Sequence, residues 1–201
     1  SFISYNIRFF IYSFSVACVF VNFPIRAEEN QTTMKNPPRP SIFENGQDLR
    51  KYRRMGIGTS VAGSLGMVGL ELELNWTEDW SSRIGYGGGP GYQAYSLQVK
   101  RVLTGEWLLP YTVMGFSNWY TVADNHSAIQ KTTPSFLGSK ILSEEEKSSG
   151  QFSEFLLYPA FGLQYVQLDG PWVGLSAYAE VALLVALSGF HAVPTGAIGL
   201  T

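Results

Sequence analysis

The chain has 201 residues and a formal net charge of −2, and 45% of its residues are hydrophobic, enough for one domain with a full core or a lipid-facing wall. Near-neutrality removes the electrostatic case for nucleic acid as a partner. Charged residues make up only 15%, against about 25% in ordinary soluble domains, while aromatics reach 14% and glycines number 21, which points to a β-protein in unusual surroundings.

In chain order, Arg8 precedes the apolar run "FFIYSFSVACVFVNFPIRA", too short for a comfortable span and ending at Ala27 before "EENQ". That is the layout of a secretory signal peptide over residues 1–27, cut after Ala27, with an uncleaved anchor as the alternative. "SVAC" faintly matches a lipoprotein box, but Ser15 is a poor residue three before the cysteine. Cys18 is the only cysteine, so the mature chain would hold no disulfide, cysteine metal site or thiol nucleophile. Residues 28–52 are polar and Pro-containing and read as a flexible periplasmic lead-in. It ends in "RKYRR", a cation cluster of Arg50, Lys51, Arg53 and Arg54 that could hold anionic headgroups or be merely solvated.

From residue 53 onward, eight segments alternate apolar and polar side chains at period 2, the spacing of β-strands. They fall at about 53–62, 67–76, 80–88, 92–103, 107–119, 152–167, 171–187 and 192–201. "LELELNW" is the clearest, with Glu71 and Glu73 on one face and Leu70, Leu72, Leu74 and Trp76 on the other. "TED" (77–79), "TGE" (104–106) and "LDG" (168–170) are tight connections that share one end, and the long connection, about 120–151, lies at the other. This asymmetry predicts an all-β, antiparallel up-and-down transmembrane barrel over 53–201.

Lipid is the better partner for the apolar face. The opposite face is mostly Gly, Ala, Ser, Gln and Asn, which suits a narrow lumen. The strand charges (Glu71, Glu73, Arg83, Lys100, Glu154 and Glu180) fall on that same face. On the lipid face, Arg or Lys at the midplane would cost about 2–4 kcal/mol; Arg101 is the exception, beside a turn where it can snorkel. Trp76, Trp80 and Trp107 border the tight-turn end, and Trp119 with Tyr120 the long-loop end, as membrane-interface aromatics do; Trp172, on the lumen parity, is weaker support. A soluble lipocalin-type barrel, apolar inside, is the opposing reading.

On this architecture, residues 53–201 resemble the small eight-stranded outer-membrane barrels of the OmpA transmembrane-domain, OmpX and OmpW type. The resemblance implies an outer-membrane location and says little about role. It departs at the end, "GAIGLT", where such barrels close on an aromatic residue; with no initiator Met either, residues beyond both ends are expected.

Within the lumen, a turn pairing Trp76 with Trp80 sets Glu73 opposite Arg83, and one pairing Leu103 with Trp107 brings Lys100 near the same level. Glu73, Arg83 and Lys100 are thus expected in one ionic layer with Glu71 just above, and "LDG" is expected to set Glu180 opposite Tyr158 as a hydrogen-bonded pair. The bland role of this layer is to fill a closed lumen; the sharper one is to line or gate a polar path. His126 beside Ser127, and His191, are the two histidines and the only handles for a lipid hydrolase or acyltransferase, a thin basis for an enzyme. "GYGGGPGY" is no phosphate loop, and "SEEEKSSG" reads as a solvated run, though it could meet a partner or divalent cations. No cofactor or metal is expected. The sequence predicts a monomeric outer-membrane barrel with a plugged lumen, contacting outer-membrane lipids, with the 120–151 loop as the place for any extracellular partner. A narrow solute channel is second and a lipid-modifying enzyme third.

Overall fold

The computed structural model describes residues 43–122 and 140–201; the expected signal segment, most of the lead-in and His126 lie outside the described residues. Eight strands follow in chain order: β1 (Met55–Ala62), β2 (Val68–Asn75), β3 (Trp80–Gly89), β4 (Tyr92–Val102), β5 (Leu108–Thr121), β6 (Ser153–Val166), β7 (Ser176–Ala186) and β8 (Ala192–Leu200). Each pairs antiparallel with the next and β8 returns to β1, closing the predicted eight-stranded up-and-down barrel.

Side chains alternate between wall and lumen along every strand. The wall is apolar: Ile57, Leu70, Leu97, Met114, Phe161, Val181 and Ile198 all face outward, Ile57 with 77% of its surface exposed. The lumen holds the charges, with Arg83 and Lys100 at 0% exposure and Glu71, Glu73, Glu154 and Glu180 also buried. One proline marks a gap in the ladder. Pro159 has no N–H to give a ladder, and the β6–β7 pairing skips Tyr158 and Pro159 between Leu157↔Val185 and Ala160↔Ala182.

Two registers differ from expectation. The "TGE" hairpin pairs Lys100 with Val113, three residues beyond the partner implied by Leu103 facing Trp107. An odd slip exchanges wall and lumen along the whole strand, so Tyr111, Val113, Ser117 and Trp119 of β5 point inward. The "LDG" connection is longer than its turn residues suggest. Gln167 and Leu175 close it through Gln167 N–H donating to Leu175 O at 2.9 Å, and Trp172 stays in the exposed loop. Glu180 consequently faces Gly162, four positions from Tyr158, and this even shift leaves it in the lumen.

Both ends of the lumen carry short inserts. The last part of the expected flexible lead-in forms a helix, α1 (Gly46–Tyr52), at the tight-turn end. Asn45 caps it by accepting from Asp48 N–H at 2.8 Å, with Asp48 in the first turn and Arg50 and Lys51 in the last, each matching the helix dipole. Seven residues are too few for a helix stable by itself; Gly46 N–H donates to Glu106 O at 2.7 Å, Gln47 donates to Asp79 at 2.7 Å, and Leu49 is buried. At the other end, the β1–β2 connection is a 3₁₀ turn (Gly63–Leu65) folded into the lumen, with Leu65 only 1% exposed. Ala62, Gly63 and Gly66 take positive φ around it, and Leu65 rests where a Cβ on Gly69 or Gly85 would lie 2.5 Å away. Within the long connection, α2 (Glu144–Ser149) starts with a capping box between Ser143 and Glu146, so part of "SEEEKSSG" is helical.

Three large lumen rings fit because they lie on glycines directly across the ladder. Tyr111 faces Gly162, Tyr158 faces Gly115, and Tyr178 faces Gly199. A Cβ on any of the three glycines would sit 2.2–2.4 Å from the tyrosine Cζ. Gly162→Val is therefore expected to destabilise the barrel by about 1–3 kcal/mol through overpacking. Adding Tyr111→Ala should give back part of that loss; urea titration of the refolded protein measures both.

Candidate functional site

The lumen near the tight-turn end holds a six-membered charge network built from four strands and one helix. Register brings Glu73 of β2 opposite Arg83 of β3, and Ser81 of β3 opposite Lys100 of β4. Glu73 accepts from Arg50 Nη1 at 3.0 Å, Ser81 Oγ at 2.9 Å and Lys100 Nζ at 3.2 Å. Arg83 Nη2 lies 3.7 Å from its second oxygen.

Arg83 stands at the middle, 3.5 Å from Glu71 and 3.9 Å from Glu180, with its guanidinium 4.6 Å from the centre of the Tyr178 ring. Tyr178 O–H donates to Glu71 at 2.6 Å, and Tyr111 O–H donates to Glu180 at 3.0 Å. Lys100 gives hydrogen bonds to Glu73 and, at 2.6 Å, to Gln164, and its ammonium lies 4.5 Å from the centre of the Tyr111 ring. Three carboxylates (Glu71, Glu73, Glu180) thus meet three cations (Arg50, Arg83, Lys100), so the network is neutral. Neutrality is what makes it tolerable, because each unmatched buried ion costs several kcal/mol.

Of the predicted lumen residues, Glu71, Glu73, Arg83, Lys100 and Glu180 come together here. Tyr158 does not face Glu180: the longer β6–β7 connection moves it four positions away, and Tyr111 takes its place on that carboxylate. Glu154 is also outside the network, near the long-loop end, where it accepts from Ser188 Oγ at 2.7 Å. Sequence reading missed Arg50, which looked like one more cation of "RKYRR". The Asn45–Asp48 cap was the signal that a helix would carry it inward. Tyr178 was read on the lumen face with Glu180 but given no partner, and Tyr111 was missed because the expected "TGE" register put it on the wall.

Among the predicted interface aromatics, Trp76, Trp80 and Trp107 are exposed at the tight-turn end, Arg101 stacking on Trp80 at 5.5 Å and Trp107 edge-on to Tyr165. Tyr120 is part-exposed at the other end and donates to Gln93 at 2.9 Å. Trp119 is a correction: only 2% exposed, it lies in the lumen, stacked on Tyr92, with Nε1 donating to Ser64 O at 2.7 Å. The odd register slip of β5 turned it inward. His191 is exposed in the β7–β8 turn. A cavity of about 450 Å³ opens beside α1, lined by Arg50, Glu73, Gln164, Ser176 and Trp172 among others.

The class defined by this fold is a small, closed, up-and-down β-barrel with charged side chains inside and apolar side chains outside. Among solved structures, the N-terminal β-barrel domain of Pseudomonas aeruginosa OprF matches with a TM-score of 0.45 and 15% identity, over 73% of this chain and 93% of that one. No protein-family model matches the chain, and no curated protein matches it in sequence.

Glu73 accepts hydrogen bonds from more partners than any other member, so Glu73→Gln should be the costliest conservative change. It leaves three buried cations short of one charge, with an expected loss of about 3–5 kcal/mol. Glu154→Gln should cost much less, because Glu154 accepts from the Ser188 hydroxyl and faces no cation of the network; the temperature at which the folded gel band disappears ranks the two.

Proposed function

We propose that this chain is a monomeric outer-membrane barrel of a Gram-negative-type envelope, exported by a signal peptide cleaved near Ala27. Its lumen is plugged by side chains, and its role is structural or that of a surface-contact protein presenting the 120–151 loop. One observation carries the reading: the barrel is inside out for water, with its charges in the lumen and Ile57, Leu70, Val181 and Ile198 outward. Closed barrels are the form in which β-structure spans lipid. A tilted span takes about 9–11 residues, and β3 to β8 run 9 to 14.

The exposed tryptophans at the tight-turn end support contact with outer-membrane lipid. Lys51, Arg53 and Arg54 are exposed beside them, where cations gain about 1 kcal/mol each from an anionic surface. The plug reading draws on the neutral network below and on Leu65 with Trp119 above. A narrow channel is the second reading, favoured by the cavity that reaches Glu73 and Gln164 from the tight-turn end. The enzyme reading gains no support: His126 lies outside the described residues and His191 stands exposed in a turn.

The deciding experiment is gel mobility of the outer-membrane fraction with and without boiling, followed by conductance across a planar bilayer. A heat-dependent band and no unit conductance are expected for wild type, and Glu73→Gln should lower the transition temperature without opening a current. A soluble periplasmic protein with no heat shift would sink the membrane reading, and a conductance change at unchanged stability would favour the channel. Single-tryptophan variants in vesicles of brominated lipid add position. Trp76, Trp80 and Trp107 should be quenched strongly, and Trp119 least.

A further inference from the structure

Five of the six charges in the lumen network belong to strands, and the sixth, Arg50, arrives from α1. The barrel alone presents Glu71, Glu73 and Glu180 to Arg83 and Lys100, one negative charge in excess. The excess sits where α1 docks: Arg50 Nη1 donates to Glu73 Oε1 at 3.0 Å and its Nε donates to Glu78 O at 3.1 Å. Both oxygens belong to the barrel, one from a strand and one from the β2–β3 turn. The side chain is 4% exposed, and its buried Nη2 has no hydrogen-bond partner. The cavity beside α1 is lined by Arg50 and Glu73 together, so there is unfilled space next to the guanidinium. The helix itself brings seven residues and cannot persist alone.

A carboxylate and a carbonyl placed to take two N–H groups of one planar cation, in a lumen short of one positive charge, form a receptor for guanidinium. We propose that α1 is an internal ligand: Arg50 fills a guanidinium-binding seat at the tight-turn end of the lumen, and small guanidinium-bearing solutes compete with it for that seat. The helix then acts as a stopper that such a solute displaces. This goes beyond the structural role above and holds whether or not the lumen conducts.

The test has two parts, both on the full barrel in detergent with methylguanidinium chloride as the probe and potassium chloride as the matched salt. In Arg50→Ala, methylguanidinium should shift the heat-transition midpoint upward and saturably, and in the Arg50→Ala/Glu73→Gln double variant that shift should vanish. No shift, or an equal shift in the double variant, overturns the seat. In wild type, the probe should speed amide exchange across residues 46–52 while strand amides keep their protection. If α1 exchanges no faster at the highest probe concentration that leaves the strands protected, competition is overturned, and this second part stands even where Arg50→Ala fails to fold.

Discussion

A carboxylate shut away from water has to be matched charge for charge, and Glu73 imposes that condition on the tight-turn half of the lumen. Its two oxygens receive Arg50, Ser81 and Lys100 within hydrogen-bond reach, and Arg83 at 3.7 Å. Those partners come from α1, β3 and β4, so their relative positions are tied to one side chain of β2. Arg83 then carries the constraint onward to Glu71 and Glu180, and the tyrosines on β5 and β7 complete those carboxylates. An odd slip of β2, β3 or β4 would turn one of these ions out of the lumen, so the network helps to specify pairing as well as filling the bore.

Space is the second constraint. Eight strands enclose room for side chains and little else, so three of the large rings lie against a neighbour with no side chain at all. The Tyr–Gly pairs at 111/162 and 158/115 satisfy this in the β5–β6 ladder, and the pair at 178/199 in the β7–β8 ladder. The same device admits Leu65 over Gly69 and Gly85. Glycine on the lumen face is thus a packing residue, and the high glycine content follows from the bore of the barrel.

Much of the fold was legible because period-2 alternation survives in every strand and the lumen charges share one parity. What sequence could not fix was turn length. "TED" was read correctly, since Trp76 N–H does reach Trp80 O at 2.9 Å, and Glu73 meets Arg83 as a result. "TGE" slipped by three, an odd number, and so reversed the sense of β5 and buried Trp119. "LDG" slipped by four, an even number, and so spared Glu180 its face while changing its partner from Tyr158 to Tyr111. Local turn chemistry leaves these alternatives close in energy, and packing inside the lumen decides between them. Arg50 was hidden for a different reason: a charge pattern alone does not show that a seven-residue helix will turn one cation inward.

The 3₁₀ turn between β1 and β2 has a mechanical consequence. Ser64 O receives both Ser117 Oγ and Trp119 Nε1 at 2.7 Å, so the turn is tied to β5, a wall to which β1 and β2 are not paired. Tyr178 makes a similar tie from β7 to Glu71 of β2. A hollow tube of this kind flattens easily, because squashing it bends each ladder only slightly. Struts across the bore remove that soft mode: an oval cross-section must stretch hydrogen bonds that a circular one leaves relaxed. The barrel is braced like a spoked wheel, and a lateral squeeze from any side is borne by the lumen as much as by the wall.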